Sequence, residues 1–235
     1  MRTLRIRGWL LIAGCLAVSA VVYCAIHLRS RAPASPQAVA SAEDEVYEAV
    51  VRDMVADGQA HVRQLVFSDT LSTYLTTGED MKSCKETARK DLFLENGKLP
   101  YDSLADKVYR IFTRSAYDDS LKAETMQNFL EKSCTVGRLS QTFHTDLPRT
   151  FIAEESVYFD GWPIQKNGAK SFQQMFPGAS GIISFSRVGF DSNLHEALVS
   201  TSFVCGGLCG TGNRYVLRKK SGRWAVVNKW MVWVA

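Results

Sequence analysis

From Pro177 to Ala235 four runs rich in β-branched and aromatic residues are divided by turn signals, and a chain built this way must close with an antiparallel sheet. Ile182 to Phe190 is bounded by Pro177-Gly178 and by Asp191-Ser192-Asn193, which predicts a strand and a reversal. Glu196 to Cys205 follows, with Ala197, Val199, Thr201 and Phe203 on one face and Leu198, Ser200, Ser202 and Val204 on the other. Neither face is strongly polar. After a Cys-Gly-Gly-Leu-Cys-Gly loop, Tyr215 to Lys220 runs into Ser221-Gly222, a dipeptide suited to a tight hairpin because glycine tolerates positive φ. Arg223 to Val234 is the last strand. It carries large apolar side chains on both faces, which predicts a central strand or one covered by a helix.

Phe176 to Ile183, Ser186 to Phe190, Ala197-Leu198-Val199, Tyr215-Val216-Leu217, Gly222 to Val227 and Met231 to Val234 together resemble an uncharacterised family of secreted or membrane-anchored bacterial proteins. The likeness is looser from Val46 to Leu75. It implies a shared architecture and export, and it carries over no catalytic residue.

At the other end, Arg2, Arg5 and Arg7 precede an uncharged run that Arg29 and Arg31 close. Trp9 to Leu28 is 20 residues, and at about 1.5 Å per residue such a helix spans the roughly 30 Å hydrocarbon core of a bilayer. Signal-peptide cores are shorter, about 7 to 15 residues, so the run reads as a retained single-pass anchor. The arginine balance puts the N-terminus in the cytoplasm and the rest outside. Two alternatives stand beside this. Ala32-Pro33-Ala34 offers a cleavage site that would release a secreted domain, and Leu11-Ile12-Ala13-Gly14-Cys15 matches a lipobox that would be lipidated at Cys15.

The expected organisation is therefore residues 1–31 as cytoplasmic tip and anchor, 32–42 as a linker containing two prolines, and 43–235 as one extracytoplasmic domain. The formal net charge is +4, but all five basic residues before Glu43 lie in or beside the anchor. Without them 23 basic residues face 24 acidic ones. Nucleic-acid binding needs clustered Lys and Arg, so it is not expected.

Within the domain, Val46, Tyr47, Val50, Val51, Met54 and Val55 recur at helical spacing behind Glu43-Asp44-Glu45, predicting a helix over 42–55 that Gly58 ends. Val62 to Tyr74 reads as a strand starting near Arg63, with a break at Ser68-Asp69. Further helices are expected over Lys82 to Glu95, along the Leu104-Val108-Ile111-Phe112 stripe, over Leu121 to Lys132 behind an Asp119-Ser120 cap, and as a short turn closing on Phe172, Met175 and Phe176. Phe143 to Phe159 is ambiguous.

Cys15 and Cys24 lie in the apolar run, leaving Cys84, Cys134, Cys205 and Cys209 for an oxidising compartment. Four thiols allow three pairings. Proximity favours Cys205 with Cys209, and hence Cys84 with Cys134; free thiols are the alternative. The C-x-x-x-C spacing with no helix start behind it does not suit a redox-active centre. A zinc site joining Cys205 and Cys209 to His144 or His195 lacks a second ligand pair.

Short catalytic patterns are incomplete. His195-Glu196 lacks the second histidine of a zinc protease, Gly178-Ala179-Ser180-Gly181 is not a full nucleophile elbow, and Gly206, Gly207, Gly210 and Gly212 lack the lysine of a phosphate loop. A hairpin demanding positive φ accounts for those glycines. His144 and Asp146 read as a surface pair, and Glu154-Glu155 and Asp118-Asp119 as solvated acids. Arg187, in an otherwise apolar strand, reads as a clamp paired with a carboxylate or as the wall of an anion pocket.

The sequence thus predicts an α+β domain behind a transmembrane helix, with a helix-rich region packed on a C-terminal antiparallel sheet, in the manner of cystatin-like or NTF2-like cones. It assigns no catalytic residue, no cofactor and no metal. Its expected role is a non-catalytic binding or scaffolding protein of the bacterial envelope, partnered by the membrane and by a protein or small molecule of unknown identity. The alternative is a hydrolase-like envelope enzyme with dispersed catalytic residues.

Overall fold

The computed structural model describes residues 34–58, 63–73, 82–85, 121–153, 159 and 171–235. The expected membrane span, Cys15, the Leu104-to-Phe112 stripe, Asp118-Asp119, Glu154-Glu155 and most of the Lys82-to-Glu95 helix lie outside them. No helix among the described residues is long and apolar enough to cross a membrane. The chain divides into compact units at Met1–Ser35 and Pro36–Ala235, and the second carries everything below.

Helix α1 spans Pro36–Ala56 and buries Ala42, Val46, Tyr47, Ala49, Val50, Val51 and Met54. Most of the stretch expected as linker is therefore its first turns. The physical reason lies in the same residues: proline is preorganised for the first helical position, and alanine is the best helix former. Gly58, with φ 71°, takes the left-handed conformation that ends the helix, as expected.

Among the described residues the sheet has seven strands: β1 Leu65–Ser68, β2 Arg149–Ile152, β3 Ile182–Phe185, β4 Gly189–Phe190, β5 Glu196–Gly206, β6 Cys209–Lys220 and β7 Arg223–Val234. Their order is β2-β1-β3-β5-β6-β7, with β4 also pairing β5. The strands of the C-terminal third pair antiparallel. β1, however, lies parallel to both β2 and β3, so the sheet is mixed and not the purely antiparallel one expected. Parallel neighbours need long crossovers, and β1 is separated from both partners by enough chain to provide them.

Helix α2, Ala123–Ser133, and the short α3, Phe172–Met175, complete the regular elements among the described residues, with residues 82–85 also helical. Helices are thus few among the described residues. Ala197, Val199, Tyr215, Leu217 and Trp224 pack into the α1 core, whereas Leu198, Val216 and Trp230 pack with Phe129 and Leu130 of α2. Helices on both faces explain why β5 has no polar side. β7 ends the sheet order, so its two-sided apolar pattern reflects the helix covering it, not a central position.

Two local features depart from expectation. The run Ile182 to Phe190 is one strand line interrupted by a bulge: Phe185 pairs Thr201 and Gly189 pairs Leu198, which leaves one extra residue among Ser186, Arg187 and Val188. And β6 begins at Cys209, six residues before the expected Tyr215, so Gly210 and Gly212 are strand residues without positive φ, and Gly206 and Gly207 have none either. Space explains them instead. A Cβ at Gly210 would stand 3.0 Å from the Trp233 ring, and one at Gly212 would overlap its indole nitrogen. The Ser221-Gly222 hairpin does form as expected, with φ of 49° and 80°.

Candidate functional site

The bulge between β3 and β4 aims Arg187 towards α1, where its Nη2 lies 3.6 Å from Glu43 Oε1. Lys132 of α2 reaches the same oxygen at 3.5 Å and donates to the Val188 carbonyl at 2.8 Å. The Tyr47 hydroxyl donates to the Ser186 carbonyl. Backbone groups that the bulge removes from the ladder are thus met by side chains of both helices. Burial pushes the Tyr47 hydroxyl well above its ordinary pKa, reinforced by Glu43 and Asp44 against the opposing Arg187. Burial also pulls the Lys132 ammonium down, with Arg187 adding to the effect and Glu43 opposing it. This is the geometry of a clamp joining α1, α2 and the sheet.

A second charged cluster surrounds the β4–β5 turn. Asp191 is fully buried; its Oδ1 accepts the backbone N–H groups of His195 and Glu196 at 2.6 and 2.9 Å, and its Oδ2 meets Lys122 Nζ at 2.5 Å. The Glu196 carboxylate accepts the Lys122 N–H, the Thr125 hydroxyl and Arg218 Nε, at 2.8, 2.9 and 3.0 Å. Lys122 is the N-cap of α2, so a buried carboxylate from a distant strand stands at the positive end of that helix. The Asp119-Ser120 cap expected from local sequence lies outside the described residues.

Burial by itself would raise the Asp191 pKa, but the hydrogen bonds from Lys122, Glu196 and His195 outweigh it and hold the carboxyl below its ordinary value. A lowered carboxylate pKa contributes stability that is complete above the unfolded value of about 3.9 and is lost as pH falls through the folded value. Asp191→Asn is accordingly expected to cost about 1–3 kcal/mol at neutral pH. Its urea stability should also fall less steeply than the parent's below about pH 4. Parallel acid limbs in the two proteins would remove Asp191 from this role.

His144 and Asp146 are surface groups, 78% and 91% exposed, with His144 Nε2 3.7 Å from Asp146 Oδ1. The His144 backbone N–H donates to Glu48 Oε1. With Arg52, Val51, Val55, Leu65, Thr145 and Leu147 these residues line a cavity of about 80 Å³. His195 is exposed and enters the Asp191 cluster only through its backbone. Arg187, His144 and His195 therefore belong to three separate places. The four cysteines are paired as proximity suggested, Cys84 with Cys134 and Cys205 with Cys209. Among the described residues no three His, Cys, Asp or Glu side chains converge on a metal position.

Sequence reasoning missed Arg214, which is 1% exposed beneath Phe129 with Nε donating to Ser200 Oγ at 3.2 Å. It was hidden in the presumed loop. Continuing the alternation of β6 backwards from Val216 places it on the α2 face, opposite Ser200.

Among the described residues, fold and sites together define an α+β domain with a mixed seven-stranded sheet, helices on both faces and two disulfides. Set against known protein families, curated proteins and solved structures, the chain has no match.

Proposed function

We propose that this chain is a membrane-anchored protein of the bacterial envelope whose domain binds or scaffolds and does not catalyse. One observation carries the reading. Between α1 and the sheet, where a cystatin-like or NTF2-like cone would hold a ligand, the volume is filled by aromatic rings: Tyr47 against Phe185 at 4.7 Å, Phe67 against Phe143 at 5.3 Å and Phe67 against Phe151 at 5.6 Å between centroids. Small-molecule sites commonly enclose about 300–1,000 Å³, whereas the cavity beside His144 holds about 80 Å³. On this reading the partner is met on the surface of the described domain. The anchor and the extracytoplasmic placement rest on the uncharged Trp9-to-Leu28 run and on the resemblance noted for the C-terminal strands.

The enzyme alternative has one observation in its favour, the convergence of Glu48, Arg52, His144 and Asp146 on that cavity. His144→Ala, Ser180→Ala and His195→Ala, each shown to fold, are expected to restore the envelope phenotype of a deletion as fully as the parent. Failure of a folded His144→Ala variant would favour the enzyme reading in its place. Alkaline phosphatase fused after Ala235 is expected to be active; an inactive fusion would put the domain in the cytoplasm.

A further inference from the structure

The two disulfides occupy opposite environments. Cys84 and Cys134 are both 0% exposed, packed among Phe129, Leu198, Val216 and Trp230, and separated by 50 positions in sequence. Cys205 and Cys209 are 4 positions apart at the tip of the β5–β6 hairpin, where Cys209 is exposed and the neighbouring Leu208 is 92% exposed. From this contrast we propose that Cys205–Cys209 is a thiol–disulfide exchange site, opened by dithiol reductants while the folded domain and its buried bridge persist.

Three lines of argument support it. A fold stabilises a disulfide by as much as the disulfide stabilises the fold, and a crosslink closing so small a loop constrains the unfolded chain least. Folding therefore adds less resistance to reduction at the tip bridge than at the buried one, and exposed bridges are the labile ones. Second, the hairpin does not depend on it. The β5–β6 ladder runs from Glu196↔Arg218 to Gly206↔Cys209 on backbone pairing, and Cys205 sits at the register shift between Val204 and Gly206, outside that pairing. Third, an attacking thiolate has access to Cys209, whereas the buried pair offers none.

The exchange balances with a dithiol as the two-electron reductant. Its thiolate attacks Cys209 Sγ, the Sγ–Sγ bond breaks, and Cys205 leaves as a thiolate that takes up a proton. The second thiol of the reductant then displaces Cys209 from the mixed disulfide, leaving two protein thiols and an oxidised reductant. Beside the site, the Trp233 ring lies over Gly210 and Gly212, and Met231 and Val234 are exposed at 49% and 66%. Opening the bridge frees the Cys205 bulge under this apolar tip, so the redox state sets the shape of the tip.

The test uses the full chain in detergent, titrated with dithiothreitol, alkylated and peptide-mapped. Cys205 and Cys209 are expected to be modified together at reductant concentrations about tenfold or more below those that open Cys84–Cys134, with far-ultraviolet dichroism unchanged. Tryptophan fluorescence should change over the same range, and Trp233→Phe should abolish that change, as should the double Cys205→Ser, Cys209→Ser variant. Simultaneous opening of both bridges, opening only on unfolding, or recovery of Cys205 and Cys209 as free thiols from oxidised protein would each overturn the proposal.

Discussion

Replacing Cys84 and Cys134 together with serine is expected to lower the unfolding free energy by about 4 kcal/mol, read as a shift in the urea midpoint. The figure follows from the chain entropy released when a crosslink spanning this length is removed. The separation is 50 positions and both sulfurs are fully buried. Two serine hydroxyls in an apolar cluster add to the loss unless they find partners. By the same relation the five-residue loop of Cys205–Cys209 is worth only about 2 kcal/mol. The order of the two effects is therefore a sharper test than either value. A smaller loss at Cys84–Cys134 than at the tip would mean that the buried bridge does not restrain the unfolded chain.

Gly189→Ala is expected to destabilise by about 3 kcal/mol or more, the upper end of what overpacking costs. A Cβ there would lie 2.5 Å from both the Cα and the backbone nitrogen of Phe129, so the obstruction is the main chain of α2 and no side chain can swing away. The contact matters because α2 completes the outer edge of β4: Asn128 Oδ1 accepts the Phe190 N–H at 2.9 Å, and Lys132 meets the Val188 carbonyl. Pushing the helix off would strand these groups together with the Glu43–Lys132 contact. Thermal denaturation gives the answer directly. A variant melting with the parent would show that α2 and β4 do not approach this closely.

Some of the molecule was legible because its cause is local. The apolar spacing of Val46, Tyr47, Val50, Val51 and Met54 identified the face of α1 that is buried, although Val55 of the same run is exposed, and Ser221-Gly222 identified the hairpin. The alternation of β5 gave its two faces correctly. Cysteine pairing followed from proximity, because Cys205 and Cys209 lie only 4 positions apart across one hairpin tip. Even the misplaced start of α1 was local: Pro36 and the alanines behind it are a helix start, read as a linker for want of charge.

Other features depend on contacts that no window of sequence contains. That β1 lies parallel between β2 and β3 is decided by long crossovers, since a strand's own residues do not choose the direction of its neighbour. Gly210 and Gly212 look like loop residues until Trp233, from another strand, is laid over them. The cap of α2 comes from Glu196, 74 positions from Lys122, and Glu43 becomes the partner of Arg187 only when the bulge turns that side chain towards α1. By itself the sequence determined the cores of α1, α2 and the C-terminal strands and which of their faces are apolar, because period and propensity act over a few residues. Only the tertiary structure decided strand direction, charge pairing and the need for glycine, because each is set by a group brought in from elsewhere in the chain.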